Sequence, residues 1–570
     1  MYIAIVPNRS SPPAVLLRES YRENGKVKNR TLANLSHLPA EQIQLLRRVL
    51  RGENLVSPEE AFRIIRSKPH GHVQAVLDMI RQLRLDQLLA AKPCRERDLV
   101  MGMIVQQVIF PCSKLGATRH WHTTSLAEQL QVSDADHDDL YAAMDWLLER
   151  QERIENKLAT RHLTEGSLVL YDITSSYYEG HTCSLAKFGH NRDGKVDRPI
   201  IVYGVLTDQE GRPLSVKVYE GNTADPATVP DQIEILRKRF HLKRVVLVGD
   251  RGMLTETQIS HLKEYPKLGW ISALRSSSIR QLVQQGSLQR SLFDEKNLAE
   301  IQSPDFPGER LMACFNPLLQ EERRRKREAL LHATEQRLER IAAEVKRRTK
   351  KPLARTEIAL KVGRVLHRYK VAKHYKLTIK DNCFQWQRKA DSIKQEAALD
   401  GIYVIRTSES KRSISSEDTV RTYKRLAEVE QAFRSLKSLE LLVRPIRHRQ
   451  ENRVRAHIFL CMLAYYVQWH LKQAWAPLLF VDEELPRARR ERDPVAPPQP
   501  SASAREKKTT LQTTSGTPVH SFRTLLAELG TYCLHECVAG ANGASVSFKK
   551  VNEPTPLHAE AFRLVKCSQN

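Results

Sequence analysis

Two apolar runs constrain this chain more than any other feature. Ser167–Ile173 (SLVLYDI) and Lys243–Gly249 (KRVVLVG) read as buried strands, the first meeting Asp172 near its end and the second running into Asp250. Pro199–Leu206 and Pro213–Tyr219 read as two further strands, separated by Asp208 and the hairpin signal Glu210-Gly211. Asn222 to Phe240 opens with Asp225-Pro226, a cap followed by a first-turn proline, and continues as an amphipathic helix. A helix over 256–264 and a strand near Trp270–Leu274 follow. Three strands in meander, then helix, strand, helix and strand, predict a mixed α/β sheet from whose strand ends Asp172 and Asp250 both emerge. Taken singly, each aspartate has a plain structural account: Asp172 closes a strand, and Asp250-Arg251-Gly252 makes a turn. Asn222 and Asp225 read as capping residues.

A third carboxylate lies far downstream. Thr419 to Leu439 contains no Gly or Pro and carries Tyr423, Leu426, Ala427, Phe433 and Leu436 at three- and four-residue spacing, which predicts one continuous helix. Ser415, Ser416 and Asp418 stand at its start as caps and dipole-compatible neighbours. Tyr423, Glu430 and Lys437 are seven residues apart and share one side, with Phe433 and Arg434 flanking Glu430. A carboxylate beside an apolar stripe needs neutralising. Arg434, one turn on, is one answer; a metal ion shared with other carboxylates is the other.

The charge balance points to the partner. Lys plus Arg is 91 against 66 Asp plus Glu, a formal net charge of +25 with a pI near 9.7, and such a surplus fits a polyanion. A membrane fits less well, because the longest uncharged apolar run, Ile458 to Trp469, is too short to span a bilayer and reads as a buried core helix. The opening MYIAIVPNRSS lacks the basic lead, apolar stretch and cleavage site of a secretory signal. A hydrophobic fraction of 41% allows substantial cores and argues against a disordered chain. Nine scattered cysteines, an odd number, predict reduced thiols in a reducing compartment. Cys533, His535 and Cys537 would need further ligands for zinc, so the plain reading is two cysteines one helical turn apart.

Residues 1–35 read as a small β-hairpin element, with strands Tyr2–Val6, Val15–Tyr21 and Lys26–Leu32 and a turn at Asn24-Gly25. Residues 36–164 read as a helical N-terminal domain open to binding DNA, its helices marked by Ile43–Leu50, Val73–Leu83, Leu99–Val108 and Tyr141–His162. A helix-turn-helix drawn across Leu126–Leu148 would open its second helix with Asp134, Asp136, Asp138 and Asp139. Those charges suit a helix N-terminus and repel phosphates, so packing without base contact is expected there. Residues 165–275 and 415–480 read as two parts of one sheet core, and 276–414 as a domain inserted between them, with Tyr403–Thr407 returning the chain to the sheet. Within the insertion, residues 321–370 carry 17 Lys/Arg against 7 Asp/Glu, and Leu331, Leu338, Ile341, Ala342 and Val345 form a seam near heptad spacing. A solvated helix and a basic arm along a phosphate backbone are both open. Arg444 to Arg455 holds five arginines and His448. Residues 481–518, rich in Pro, Arg, Ser and Thr, read as a flexible linker, and 519–570 as a small tail.

Three separated carboxylates suit two divalent hard cations, Mg²⁺ or Mn²⁺, held about 4 Å apart so that one activates a water or 3′-hydroxyl and the other stabilises the leaving oxygen. With a basic surface, the natural substrate is a nucleic-acid phosphodiester. YDITSSYYEG (171–180), FGHNRDGK (188–195), PIIVYGVLTDQEGRPLSVKVYEGNTAD (199–225), VVLVGDRGM (245–253) and YKRLAEVEQAFRSLK (423–437) together resemble bacterial insertion-sequence transposases of the DDE type. The group resembled has a domain inserted between the second Asp and the Glu, and a Tyr, Glu and Lys signature on the Glu helix. The likeness covers about residues 165–275 and 400–475.

The resemblance implies a ribonuclease-H-like mixed sheet, with a helical N-terminal region and a large basic insertion. It implies Asp172, Asp250 and Glu430 as the catalytic, metal-binding carboxylates, and Tyr423 and Lys437 as contacts to transposon-end DNA. The signature arginine falls at Leu426, leaving Arg425 or Arg434 to supply it. Lys187, Asn191, Arg192 and Lys195 belong to a loop that reads either as solvated or as a phosphate clamp. The implied activity is metal-dependent cleavage at the ends of an insertion sequence and strand transfer into target DNA. A homodimer on double-stranded DNA, in the bacterial cytoplasm at the nucleoid, would carry it out. Two other readings are open. One is a DNA-binding protein with an inactive nuclease-like core. The other is an aspartate-nucleophile phosphohydrolase, weakened by Thr174 and Leu254 where that chemistry needs acids.

Overall fold

The computed structural model describes every residue except 10, 54–61, 266, 497–498, 514–515, 540–545 and 568–570, and of 486 and 489 only the backbone. The chain separates into two compact units, Met1–Lys68 with Cys533–Glu553, and Pro69–Tyr532 with Pro554–Asn570.

In the first unit, Tyr2–Val6, Ala14–Glu23 and Lys26–Asn34 form an antiparallel sheet. Asn24 and Gly25 turn its hairpin with φ of 50° and 77°, the left-handed pair whose twist suits two paired strands. The helix Ala40–Leu50 belongs to the same unit, which therefore runs past residue 35. A second sheet joins Phe62–Pro69 to Cys533–Ala539 and Val546–Val551, bringing distant parts of the sequence together. Cys533 and Cys537 thus lie on a strand and not on a helical turn, and His535 Nδ1 sits 2.9 Å from Ser67 Oγ.

The second unit is built on an eight-stranded mixed sheet: β1 (Leu168–Tyr177), β2 (Ile200–Asp208), β3 (Pro213–Tyr219), β4 (Val245–Val248), β5 (Leu268–Ala273), β6 (Leu298–Ile301), β7 (Arg310–Phe315) and β8 (Ile402–Thr407). The order is β6-β7-β8-β5-β4-β1-β2-β3. Strands β1 to β3 are an antiparallel meander, and β4 and β5 run parallel to β1, the mixed α/β core expected. Continuous burial of β2 and β4 explains their unbroken apolar runs.

Helices α1 (Gly71–Gln82), α2 (Arg95–Ile109), α3 (Lys114–Trp121) and α4 (His137–Glu149) follow the first unit in sequence. Helices α1, α2 and α4 pack around a helix from much later in the chain, Glu451–Ala474, which also packs on β3. That central helix is buried on nearly every side, from Val454 to Leu471, so it needs cover from both helices and sheet. One continuous core results, and residues 70–163 do not stand apart from the sheet as a domain of their own. The acidic run opens α4 as a capping box, with Asp136 accepting from Asp138 N and Asp139 N at 2.8 and 3.0 Å. The single long helix expected over Tyr141–His162 is broken at Arg150, whose guanidinium stacks on Trp146 at 4.0 Å.

The insertion has two parts. Strands β6 and β7 extend the main sheet beyond β8, with a small core around Leu282, Leu311 and Val404. Helices α5 (Pro317–Arg347) and α6 (Arg355–Tyr369) and the hairpin Tyr375–Lys380/Cys383–Arg388 form a body with its own core, in which the predicted seam Leu331, Leu338, Ile341 and Val345 is buried. The stretch expected as a linker contains helices Leu485–Glu491 and Ala502–Thr510, while 497–498 and 514–515 lie outside the described residues. Buried Val495 and Lys507 anchor it, Lys507 Nζ donating to Ala476 O at 3.0 Å. In the tail, helices Phe522–Leu529 and Pro556–Cys567 pack on α1, and Trp475 Nε1 donates to Ala561 O at 3.0 Å. Among the described residues no single helix is long and apolar enough to cross a membrane.

Candidate active site

Strand pairing sets two of the three carboxylates. In the parallel ladder of β1 and β4, Leu170 lies opposite Val248; Asp172 follows two residues later within β1, and Asp250 two residues later in the turn after β4. Asp172 stands inside β1, which continues to Tyr177, and not near the strand's end. Its Oδ1 accepts from Ile173 N at 2.8 Å. Burial pushes its carboxyl up to about 7, and the like charges of Asp250 and Glu430 add to that rise. Asp250 does form the turn foreseen for it: Oδ1 accepts from Gly252 N at 3.0 Å and Met253 N at 2.8 Å.

The third carboxylate rides on a helix that is not continuous. Ser416–Lys424 (α7) and Leu426–Lys437 (α8) meet at Arg425, whose N–H reaches back only to Thr422 O at 3.0 Å. Arg425 Nη1 donates to Gln209 O at 3.1 Å, pinning the break to the β2–β3 hairpin. At that hairpin Gly211 has φ 85°, and a Cβ there would come within 2.8 Å of Glu428 Cβ, so glycine is needed twice over. Helix α8 packs on β1 and β2, with the buried Phe433 ring edge-on to Tyr203 at 6.1 Å. Glu430 faces outward and lies 3.5 Å from Arg434 Nη2, the i,i+4 pairing considered from sequence. Tyr423 belongs to α7, yet its half-buried hydroxyl senses the same three acids; burial first, then Asp250, pushes it up to about 12. Leu426 packs on the rim of the hydrophobic core, a role that no arginine would fill.

Asp172, Asp250, Glu430 and Tyr423 therefore share one electrostatic neighbourhood. They are not gathered into a finished shell: among the described residues no group of three or more His, Cys, Asp or Glu side chains is placed to hold a metal ion. The donors fit a hard divalent cation by type. The three acids offer only carboxylate oxygens, and Asp172, raised first by burial, also feels the like charges of Asp250 and Glu430.

The predicted DNA contacts divide. Arg434 and Lys195 are exposed, Lys195 Nζ lying 5.0 Å from the centre of the Tyr177 ring. Lys437 is largely buried and bonds to Asp193 Oδ1 at 3.0 Å. Asp193, 1% exposed, also pairs with Arg444 and accepts from Tyr177 N at 3.1 Å. This buried carboxylate ties α8, β1 and the segment after α8 to the 188–195 loop, and sequence reasoning missed it. A lone acid among Arg192, Lys195 and Lys187 reads as part of a solvated turn; only the fold encloses it. Arg192 in the same loop pairs with Asp225 at 2.6 Å, so Asp225 is an ion-pair partner as well as a first-turn residue, and the Arg192 charge tempers Asp172.

The family model described as the IS1634 family transposase, N-terminal domain, matches residues 3–61, and that of the Transposase DDE domain matches residues 164–467. No curated protein matches the chain. Among solved structures, one described as a cryo-EM structure of piggyBac transposase synaptic complex with hairpin DNA aligns over 80% of this chain and 77% of that one. Its identity is 9% and its TM-score 0.35, a likeness too loose to carry an argument. The DDE match spans more than half of the chain and includes Asp172, Asp250 and Glu430, and with the second transposase domain at its N-terminal end the chain belongs to the DDE transposases of bacterial insertion sequences.

Proposed function

We propose that this DNA transposase cleaves the ends of its own insertion sequence and joins them to target DNA at one site, with Asp172, Asp250 and Glu430 as the catalytic carboxylates. The observation supporting this reading is that Asp172, Asp250 and Glu430, far apart in sequence, share one electrostatic neighbourhood, Asp172 on β1 sensing the charges of the other two. These three residues would hold Mg²⁺ or Mn²⁺, which when bound supplies Lewis acidity toward the attacking and leaving oxygens of a phosphodiester. The chain supplies the rest. The β1 and β4 backbones fix two carboxylates, and α8, tied down through Lys437 and Asp193, carries the third. Arg434 and Lys195 are the exposed cations suited to DNA phosphates, and Tyr423 suits a contact at the cleft. Arg425 and Lys437 act through position, each already engaged within the protein. A homodimer would bring two ends together, in the compartment that holds the bacterial chromosome.

The second reading is a DNA-binding protein with an inactive nuclease-like core. Cleavage of duplexes carrying the DNA that flanks the gene, with Mg²⁺ or Mn²⁺, decides between them. Nicking by the wild type and a loss on the order of 10³-fold in Asp250→Asn, with binding retained, is expected. Equal binding with no cleavage by either protein under any divalent ion would establish the second reading.

A further inference from the structure

Away from the carboxylates, one cavity collects five cations, of which Lys114 and Arg449 have no acid partner among the described residues. It has a volume of about 560 Å³ and lies between the start of α3, helix α4 and the segment around residues 442–457. Lys114, which lines it, is the first residue of α3, behind the N-cap Ser113, whose Oγ accepts from Gly116 N at 3.0 Å. Lys114 is 5% exposed, yet among the described residues its ammonium has no carboxylate and no hydrogen-bond acceptor. The groups that sense it are Cys112, Cys461, His448 and His457. None offers a negative charge near neutral pH: burial pushes both thiols up, Cys461 to about 12, and drives the two imidazoles down to about 2 and 3.

Arginines complete the lining. The Arg453 guanidinium lies over the Tyr141 ring at 4.4 Å, its nearest acid is Asp145 at 3.8 Å, and its Nε is buried with no acceptor. Arg449 is exposed and unpartnered among the described residues. Arg444 is paired with Asp193, and Arg447 with Glu179 at 3.0 Å. No Asp or Glu lines the cavity. An unpaired ammonium on a side chain this nearly enclosed is costly to a folded chain, and the helix N-terminus that carries it adds to the positive field. Several oriented N–H donors around one space match an anion with several acceptor oxygens.

We propose that this cavity is a backbone-phosphate pocket, in which Lys114, Arg449 and Arg453 together take one phosphodiester of duplex DNA. The proposal rests on the DNA-transposase reading for the source of the phosphate. Its place suits that task. Asp193 links Arg444 to Lys437 on the Glu430 helix, and Ile446 bridges to Tyr178 at the end of β1. A phosphate seated here would lock the duplex to the same frame that carries the carboxylates, setting register without reading bases.

The test uses the full chain with duplexes of several helical turns taken from the gene's flanks, and scrambled duplexes as controls. Lys114→Met and Arg449→Gln are each expected to weaken binding about tenfold and to lower the slope of log affinity against log salt by about one. A single methylphosphonate placed along the duplex should reproduce the loss at one position in the wild type and add nothing there in Lys114→Met. Arg449 is on the surface, so its variant answers even if Lys114→Met fails to fold. Unchanged affinity and slope in folded variants overturns the proposal. So does protection of the wild type, but not Lys114→Met, by inorganic phosphate against heat while DNA affinities stay equal, which would make this a free-phosphate site. Cleavage by Asp250→Asn would sink the catalytic reading and leave the pocket standing.

Discussion

Lys437 and Lys114 are both lysines drawn out of water, and the fold treats them oppositely. Lys437 meets Asp193 at 3.0 Å, and burial, which lowers its pKa, is opposed by that carboxylate. Lys114 meets only neutral groups, and its pKa is lowered with little to oppose it. The first is part of the architecture that holds the Glu430 helix; the second is a charge with no structural employment. A net charge of +25 does not distinguish the two. What separates the two is a carboxylate within hydrogen-bond reach, present for Lys437 and absent for Lys114.

Breaking the clamp should cost most. Asp193→Ala leaves Lys437 and Arg444 without their shared carboxylate, and a loss of about 3 kcal/mol is expected in urea unfolding. If the loss is below about 1 kcal/mol, Lys437 is not held as described and regains its place among the DNA contacts. Gly211→Ala tests the hairpin that carries the α7–α8 break. A positive φ and the approach of Glu428 predict a destabilisation of about 2 kcal/mol and impaired cleavage. On the other side of the comparison, Lys114→Met should stabilise the DNA-free protein by about 1 kcal/mol, read as a higher melting temperature. The gain should depend on pH. Folded Lys114 binds fewer protons than the unfolded chain between its lowered pKa and the ordinary lysine value of about 10.4, so wild-type stability rises with pH across that window and the variant's advantage shrinks. An advantage independent of pH would mean that packing, not charge, is responsible. The smallest effect belongs to Arg434→Ala: its pair with Glu430 is exposed on both sides, and a change below about 0.5 kcal/mol is expected.

Much of the core was legible residue by residue. Alternation and apolar runs located β1 to β5, and Asn24-Gly25 located the N-terminal hairpin, because burial period and turn geometry are local properties. Three features were misjudged for a common reason. The breaks at Arg150 and Arg425 occur in stretches without Gly or Pro; Arg425 is fastened to a hairpin more than two hundred residues earlier, Arg150 to Trp146. The 481–518 stretch has the composition of a linker but is held by a few buried anchors. In each case a long-range contact or a stacked side chain outweighed local propensity.

Sequence by itself determined the class of fold, the family, and the three carboxylates as candidates, because strand period, motif order and spacing are written in the chain. Only the tertiary structure decided what each charged group meets. It set Asp172 on one strand and Asp250 in the turn after the neighbouring strand, enclosed Asp193 against Lys437, and left Lys114 inside without an acid. Electrostatic environment depends on distance and burial, and both are products of contacts between residues remote in sequence.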